Sequence, residues 1–424
     1  MTIELNIKPI SVEILNPAKY NPRKDLQPGD EEYEKLLRSI EEFGYVEPII
    51  WNERTGNIVG GHQRFKILKQ LGYTEIPCVI INLDEQREKA LNVALNKISG
   101  EFDLPLLSDL LYELSSDGFD VSLTGFDMAE IDRLFQSRAR MQGQIEEDDF
   151  DAEAEAAKIT EPVTKLGDIW LLGKHRLMCG DSTDIGAVAR LTDGKRVQMI
   201  FTDPPWNVDY GSDSKHPSWK PRQILNDKMS TEDFYQFLLS AFKAMASVCE
   251  PGAMTYMVMS GQEWGTAMNT MKEAGFHWSS TIIWAKDTLV LSRKDYHTQY
   301  EPIWYGWLEG EKRLCPLQDR KQSDLWQIDR PKRSEEHPTM KPIALAGKAI
   351  NNSSRPGDMV LDSFGGSGTT LLAAEQSDRL NFSMELDPKY CDVIVKRYIE
   401  FHKSDEGVYL LRDKNKLAYN EMEV

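Results

Sequence analysis

No apolar run in the sequence approaches the roughly 18 residues that a membrane-spanning helix needs, so no such span is expected. The start, MTIELNIKPI, lacks the basic residues and apolar core of a secretory signal, and the cytoplasm is the expected compartment. Cysteine is scarce. There are five, at Cys78, Cys179, Cys249, Cys315 and Cys391, and none forms a CxxC pair. That argues against a disulfide framework or a zinc site, and no metal ligand set is expected. Basic residues are outnumbered, 50 to 68, for a net charge of −18. Averaged over the chain, this speaks against a phosphate-rich partner, so only a local basic patch could meet one. Internal repeats are absent. What is present is globular composition, 41% hydrophobic and 28% charged, over 424 residues, enough for two or three domains.

The acid is concentrated in QIEEDDFDAEAEA, Gln144–Ala156, with seven carboxylates and no base. Such a run is expected to be a solvated linker, spanning about 141–160 and dividing a domain 1–140 from a domain 161–424. Before it, short strands and helices alternate. SVEIL reads as a strand, and EEYEKLLRSIEEF as a helix that Gly44 stops. EPIIWN and GNIVGG read as strands, GHQRFKILKQ as a helix, IPCVIIN as a buried strand and EQREKALNVALNKI as a helix. LPLLSDLLYELSS and MAEIDRLFQSRAR form a helical tail. After the acidic run, strands and helices alternate as in a mainly parallel sheet covered on both faces. There, Thr231 is the expected cap of an amphipathic helix.

Two stretches exceed what folding alone asks for. VQMIF is a buried strand that runs into Asp203-Pro204-Pro205-Trp206, a rigid, acidic, aromatic corner. Taken alone, it is either a proline turn at a strand end or a site. The second is a strand, a glycine turn and a helix, in Val360-Leu361-Asp362-Ser363-Phe364-Gly365-Gly366-Ser367-Gly368-Thr369-Thr370. Glycines let backbone approach a ligand, and the helix start offers free N–H groups. A further strand ends at Glu385, where an acid is placed to bind ribose hydroxyls. The turn is neither a Walker loop nor GxGxxG, so a nucleoside-bearing ligand is favoured over a bare phosphate. A structural strand–helix turn is the alternative.

Together with His337-Pro338-Thr339-Met340-Lys341-Pro342, these stretches resemble the β group of S-adenosylmethionine-dependent DNA amino-methyltransferases, in which the catalytic motif precedes the cofactor motif. The resemblance covers roughly residues 160–403. It implies an α/β fold with a Rossmann-like, circularly permuted methyltransferase sheet. It also implies a cofactor, S-adenosyl-L-methionine, held by Asp362, Phe364, Gly365, Gly366, Gly368 and Thr369, with Glu385 on the ribose and Asp181 near the adenine. Lys341 and Pro342 would lie by its methionine part. The catalytic residues would be Asp203, Pro204, Pro205 and Trp206.

The chemistry explains the corner. An exocyclic amino group is a poor nucleophile because its lone pair is delocalised into the base. Asp203 and the carbonyl of Pro204 can accept its two hydrogens and free that pair. The work is positioning and charge stabilisation. Trp206 offers a flat face to a base taken out of double-stranded DNA. In the family, an acid at the first position implies the N6 group of adenine, and serine the N4 group of cytosine. N6 is expected here, with cytosine N4 as the alternative. A partition-type DNA-binding protein with a silent methyltransferase fold is a reading of another class, and RNA or protein substrates are a third.

A basic island, Lys312–Arg333, holds seven bases and three acids around Trp326. It lies within the expected target-recognition region, about 305–335. Arg313, Arg320, Lys321, Arg330, Lys332 and Arg333 are candidate phosphate or guanine contacts, or else a solvated loop. Tyr296, Tyr300 and Glu301, just before it, are expected in a pocket or in the core, with the core favoured. Nothing in the sequence marks an interface, and a homodimer stays open.

Residues 8–100 resemble the ParB-like N-terminal domain, a small α+β fold related to sulfiredoxin, through Asn21-Pro22-Arg23 and Ile58-Val59-Gly60-Gly61-His62-Gln63-Arg64-Phe65. A nucleotide ligand is implied. However, GHQR stands where ParB proteins usually have GERR, and His62 stands in place of the reactive sulfiredoxin cysteine. Gly60, Gly61 and Arg64 make a candidate anion site, or a plain strand–helix turn. Such fusions suggest a phage or mobile-element origin, with or without a companion restriction enzyme.

Overall fold

The computed structural model describes residues 6–23, 25–97, 102, 104–124, 126–141, 145–207, 228–290, 295–317, 321–329, 340–413 and 415–422. The chain divides into two units, Met1–Gln142 and Gly143–Val424.

In the first unit, strands β1 (Ile7–Ser11), β2 (Asn16–Pro17), β3 (Ile49–Asn52), β4 (Asn57–Gly60) and β5 (Glu75–Ile81) form one sheet in the order β1-β5-β3-β4-β2. Helices α1 (Glu31–Phe43), α2 (His62–Gln70), α3 (Glu85–Lys97), α4 (Leu104–Ser116) and α5 (Met128–Met141) follow the expected apolar spacing. Alternation along β5 buries Ile76, Cys78 and Ile80. Gly44 ends α1 with φ +75°, its N–H bonding to the Ile40 carbonyl at 2.9 Å. SVEIL is not a strand: β1 stops at Ser11, whose hydroxyl caps a 3-10 turn, Val12–Ile14. Helices α3, α4 and α5 bury a cluster of their own that includes Val93, Leu111 and Ile131.

The second unit contains α6 (Ala152–Lys158), β6 (Ile169–Leu172), β7 (His175–Cys179), α7 (Ile185–Thr192), β8 (Val197–Thr202), α8 (Thr231–Val248) and β9 (Cys249–Val258). Next come α9 (Trp264–Glu273), β10 (Phe276–Val290), β11 (Thr298–Leu308), β12 (Leu325–Gln327) and α10 (Ile343–Ser353). The last elements are β13 (Met359–Asp362), α11 (Thr369–Gln376), β14 (Leu380–Glu385), α12 (Pro388–His402), β15 (Val408–Arg412) and β16 (Asn415–Ala418). The strand order is β12-β10-β11-β9-β8-β13-β14-β7-β6-β15-β16. Its centre, β9 through β7, is parallel, but β10–β11–β9 and β7–β6–β15–β16 are antiparallel. The sheet is therefore mixed rather than mainly parallel. Short hairpins need no crossover helix, and their loops left little pattern to read.

Helices cover both faces. One core layer packs side chains of α7, α8 and α9 against the sheet, the other those of α10, α11 and α12. The cap of α8 is Ser230, which accepts from the Asp233 N–H at 3.1 Å, one residue earlier than expected.

The acidic run is not a solvated linker. Ala152 and Ala156, four apart on one face of α6, pack with the flanking Phe150 and Ile159 on Val393 of α12. Asp151 caps α6, accepting from the Ala154 N–H at 2.9 Å. The carboxylates of Glu147 and Asp148 are bonded into the second unit, so paired charge replaces solvation.

Candidate active site

Strands β8, β13, β14 and β7 are consecutive parallel neighbours, and an acid stands at the carboxyl end of each. Asp203 follows β8, Asp362 ends β13, Glu385 ends β14 and Asp181 follows β7. The carboxyl ends of such strands are where open α/β sheets bind ligands.

At the proline corner, Trp206 Nε1 donates to Asp203 Oδ1 at 3.1 Å and Lys341 Nζ donates to Asp203 Oδ2 at 2.6 Å. The same ammonium lies 3.4 Å from Glu301 Oε2 and 4.6 Å from the Trp206 ring centroid. Glu301, on β11, is bonded through its other oxygen to Lys286 Nζ of β10 at 2.5 Å. Four charges thus alternate, Lys286–Glu301–Lys341–Asp203, and the two central groups are almost fully buried. Burial raises the Asp203 carboxyl above its ordinary range, and Lys341 offsets only part of that rise. Burial alone would lower the Lys341 ammonium, but the Asp203 and Glu301 carboxylates more than offset it and keep it charged. Asn207, at φ +55°, bonds Met229 in both directions, at 3.2 and 2.6 Å, and fixes the residue after Trp206.

The glycine turn is tied to this corner. Asp362 accepts from Thr202 Oγ1 of β8 at 3.0 Å, from the Phe364 N–H at 3.1 Å and from Thr370 Oγ1 at 2.6 Å. Burial nonetheless lifts it to about 7. The Gly365 N–H bonds the Met384 carbonyl at 2.7 Å, and a Cβ there would sit 3.3 Å from that same oxygen. Gly368 caps α11 at φ +85°, a left-handed geometry that favours glycine. The Gly366 N–H and Asp387 N–H bond the two Glu385 oxygens at 2.8 and 2.9 Å, while burial raises this carboxyl to about 7. Ser363 Oγ is buried without a hydrogen-bond partner among the described residues. Asp181 accepts from Thr183 at 2.9 and 2.8 Å, and Gly180 N–H bonds the Glu385 carbonyl at 2.9 Å. A glycine cradle with little room for a Cβ at Gly365 and Gly368, an orphaned hydroxyl and acids on three neighbouring strand ends fit a ligand bearing ribose hydroxyls and a cationic group.

Lys341 joins the two halves. Its ammonium is on Asp203 rather than in the glycine turn, while its carbonyl accepts from Thr369 Oγ1 at 3.3 Å. Pro342 caps α10. Glu301 belongs to the site, not the general core, and Tyr296 and Tyr300 are exposed, by 89% and 47%. Alternation along β11 explains the difference: Glu301 and Tyr300 are neighbours and face opposite ways. Lys286 was missed in the sequence. Its one signal is a lysine closing the apolar run STIIWA.

Of the basic island, Arg313 lies over the Trp307 ring at 5.1 Å and Lys321 is exposed. Arg320, Arg330, Lys332 and Arg333 lie outside the described residues, as do His337–Thr339. Trp326 is buried in the core on β12. In the first unit, Gly61 starts α2 at φ +90° with Ile49 packed against it, Gly60 ends β4, and Arg64 is paired with Glu47. His62 Nε2 accepts from the Ala18 N–H at 3.3 Å, and burial lowers its ring to about 4.

Three family models match the chain. Residues 197–396 match a DNA methylase, residues 3–97 a ParB N-terminal domain, and residues 105–166 a ParB-methyltransferase HTH domain. The last covers segments read from the sequence as a helical tail and an acidic linker. Among relatives, DNA adenine methyltransferase YhdJ of Escherichia coli (strain K12) is 27% identical over 234 residues, covering 47% of this chain and 76% of that protein. Type II methyltransferase M2.MboI of Moraxella bovis is 26% identical over 223 residues, covering 48% and 81%. Among solved structures, that of M1.HpyAVI is 22% identical with a TM-score of 0.39, covering 52% of this chain and 96% of that one.

Proposed function

We propose that this chain, whose second unit is a DNA methylase of the matched family and whose first unit is ParB-like, methylates the N6 amino group of adenine in double-stranded DNA. S-adenosylmethionine, when bound, supplies a sulfonium methyl; the electrons of the broken C–S bond stay on sulfur, and the nitrogen that gains the methyl yields one proton to solvent. All other steps fall to the chain's own residues. Asp203 orients the amino group. Each of its oxygens already accepts one hydrogen bond, and a carboxylate oxygen can accept a second. The Pro204 carbonyl is assigned the other amino hydrogen. Trp206 is assigned the stacking face for the flipped base. Glu385 is assigned the ribose hydroxyls and Asp181 the adenine end, with Asp362, Phe364, Gly365, Gly366, Gly368 and Thr369 forming the cradle.

One observation carries the reading. The Thr202–Asp362 bond ties the acceptor strand to the cofactor strand, so the amino-group acceptor and the cradle stand one strand spacing apart, about 4.8 Å. The acid at 203 favours adenine, and a relative is itself named a DNA adenine methyltransferase. Arg313, Arg320, Lys321, Arg330, Lys332 and Arg333 are assigned to the DNA, whose place is the cytoplasm. For Arg64 of the ParB-like unit to take a nucleotide phosphate, Glu47 must release it.

Asp203→Ala is the test. It should lower single-turnover methyl transfer about 10²–10³-fold while S-adenosylmethionine still binds. An active variant would remove Asp203 from the mechanism.

A further inference from the structure

The acidic residues just before α6 touch every helix on the α10–α12 face. Ile145 lies over Gly347, where a Cβ would come within 1.9 Å of its Cδ1, so the side chain sits directly on the bare backbone of α10. Glu146 and the Gln376 side chain of α11 form a two-bond amide pair, at 2.8 and 3.0 Å. Glu147 accepts the Ile343 and Ala344 N–H groups at 3.0 and 2.8 Å, satisfying the first turn of α10 just beyond Lys341. Asp148 holds Arg397 of α12 through two bonds of 2.7 Å. Arg397, only 1% exposed, donates onward to the Ser367 carbonyl at 2.9 Å and its hydroxyl at 3.3 Å, within the glycine turn.

We propose that Glu147 and Asp148 are positioning residues: the acidic segment is a strap that fixes the cofactor turn through Arg397 and fixes Lys341 through the start of α10. A bidentate arginine–carboxylate pair sets an orientation as well as a distance. Without Asp148, Arg397 keeps its charge in a buried place but loses the partner that aims it at Ser367. The strap immediately follows the first unit in the chain, so whatever pulls on it reaches the cofactor turn directly. Binding is then coupled to chain order before α6, a population effect and not a chemical one.

The consequence for cofactor affinity rests on the function proposed above; the order of the turn does not. The full chain would be compared with Asp148→Asn, Glu147→Gln, the double variant and the conservative Asp148→Glu. Two readouts are needed. Amide hydrogen exchange at residues 366–370, measured without cofactor, should speed up at least tenfold in the double variant and recover in Asp148→Glu. S-adenosylmethionine affinity should fall about tenfold or more in the double variant and be retained in Asp148→Glu. If exchange in the turn is unchanged while the melting temperature falls, the segment is structural only and the strap is refuted. If the wild type fails to bind S-adenosylmethionine, the functional reading fails, and exchange still decides the strap. If the wild type and all variants bind alike, the inference fails alone.

Discussion

At Asp203, one carboxylate oxygen faces a fixed indole N–H and the other a lysine. The lysine is held in turn by Glu301, and Glu301 by Lys286. Removing one member of a buried charge chain leaves its neighbour uncompensated, which costs about 3–5 kcal/mol. Glu301→Gln should therefore lower stability by that order in denaturant unfolding. It should also lower kcat more than it raises KM for DNA, because Lys341 would no longer be centred on Asp203. Unchanged kcat in folded Glu301→Gln would show the chain to be structural only. Lys286 and Glu301 illustrate what the sequence withholds. A cation on β10 and an anion on β11 meet only through antiparallel register, in which Trp284 pairs with Glu301 and Ala285 with Tyr300. Local pattern carries no record of that.

Two other acids set a pH dependence. Burial holds Asp362 and Glu385 near 7, against ordinary values of 3.8 and 4.5. Between those values and 7 the folded protein binds more protons than the unfolded chain. Its stability without cofactor thus falls as pH rises through that window. Glu385→Gln should flatten its share of the fall, as read from urea midpoints at pH 5 and pH 7.5; an unaltered slope would contradict the shift. In the role proposed for Glu385, ribose hydroxyls would donate to its ionised form. Cofactor affinity should accordingly rise with pH through 7 with proton release, measured by calorimetry in buffers of different ionisation enthalpy.

Among elements, the glycine turn was legible because its constraint is local. Gly366 and Gly368 adopt left-handed backbone, at φ +53° and +85°, which favours glycine whatever lies around them. Gly368→Ala would place a Cβ 3.1 Å from Ile394 in a conformation that alanine rarely adopts. A loss of about 1–2 kcal/mol and a weakened cofactor site are expected, read by thermal shift with and without S-adenosylmethionine. The acidic run was misread for the opposite reason. Seven carboxylates dominate its composition, while the four apolar residues that dock it are diluted among them. Its charges stabilise rather than repel because Arg397 and the first turn of α10 lie on other elements, far away in sequence.

Over the whole molecule, net charge is an average that hides its distribution. The −18 total includes buried and paired acids, while bases cluster in Lys312–Arg333. The helices of the first unit, those that became α7, α8, α11 and α12, the central strands and the acids at their ends could be read from spacing and turn chemistry. The antiparallel margins could not, since a hairpin strand and a parallel strand have the same apolar pattern when both faces are covered. Among the described residues, no helix is long and apolar enough to cross a membrane.

The central claim is amino methylation of adenine in DNA. It is tested most directly by incubating the full chain with unmethylated double-stranded genomic DNA and S-adenosylmethionine, digesting the DNA and analysing its nucleosides by mass spectrometry. The account predicts N6-methyldeoxyadenosine, absent with Asp203→Ala. N4-methyldeoxycytidine instead would contradict the assigned base, and no methylated nucleoside at all would contradict the function.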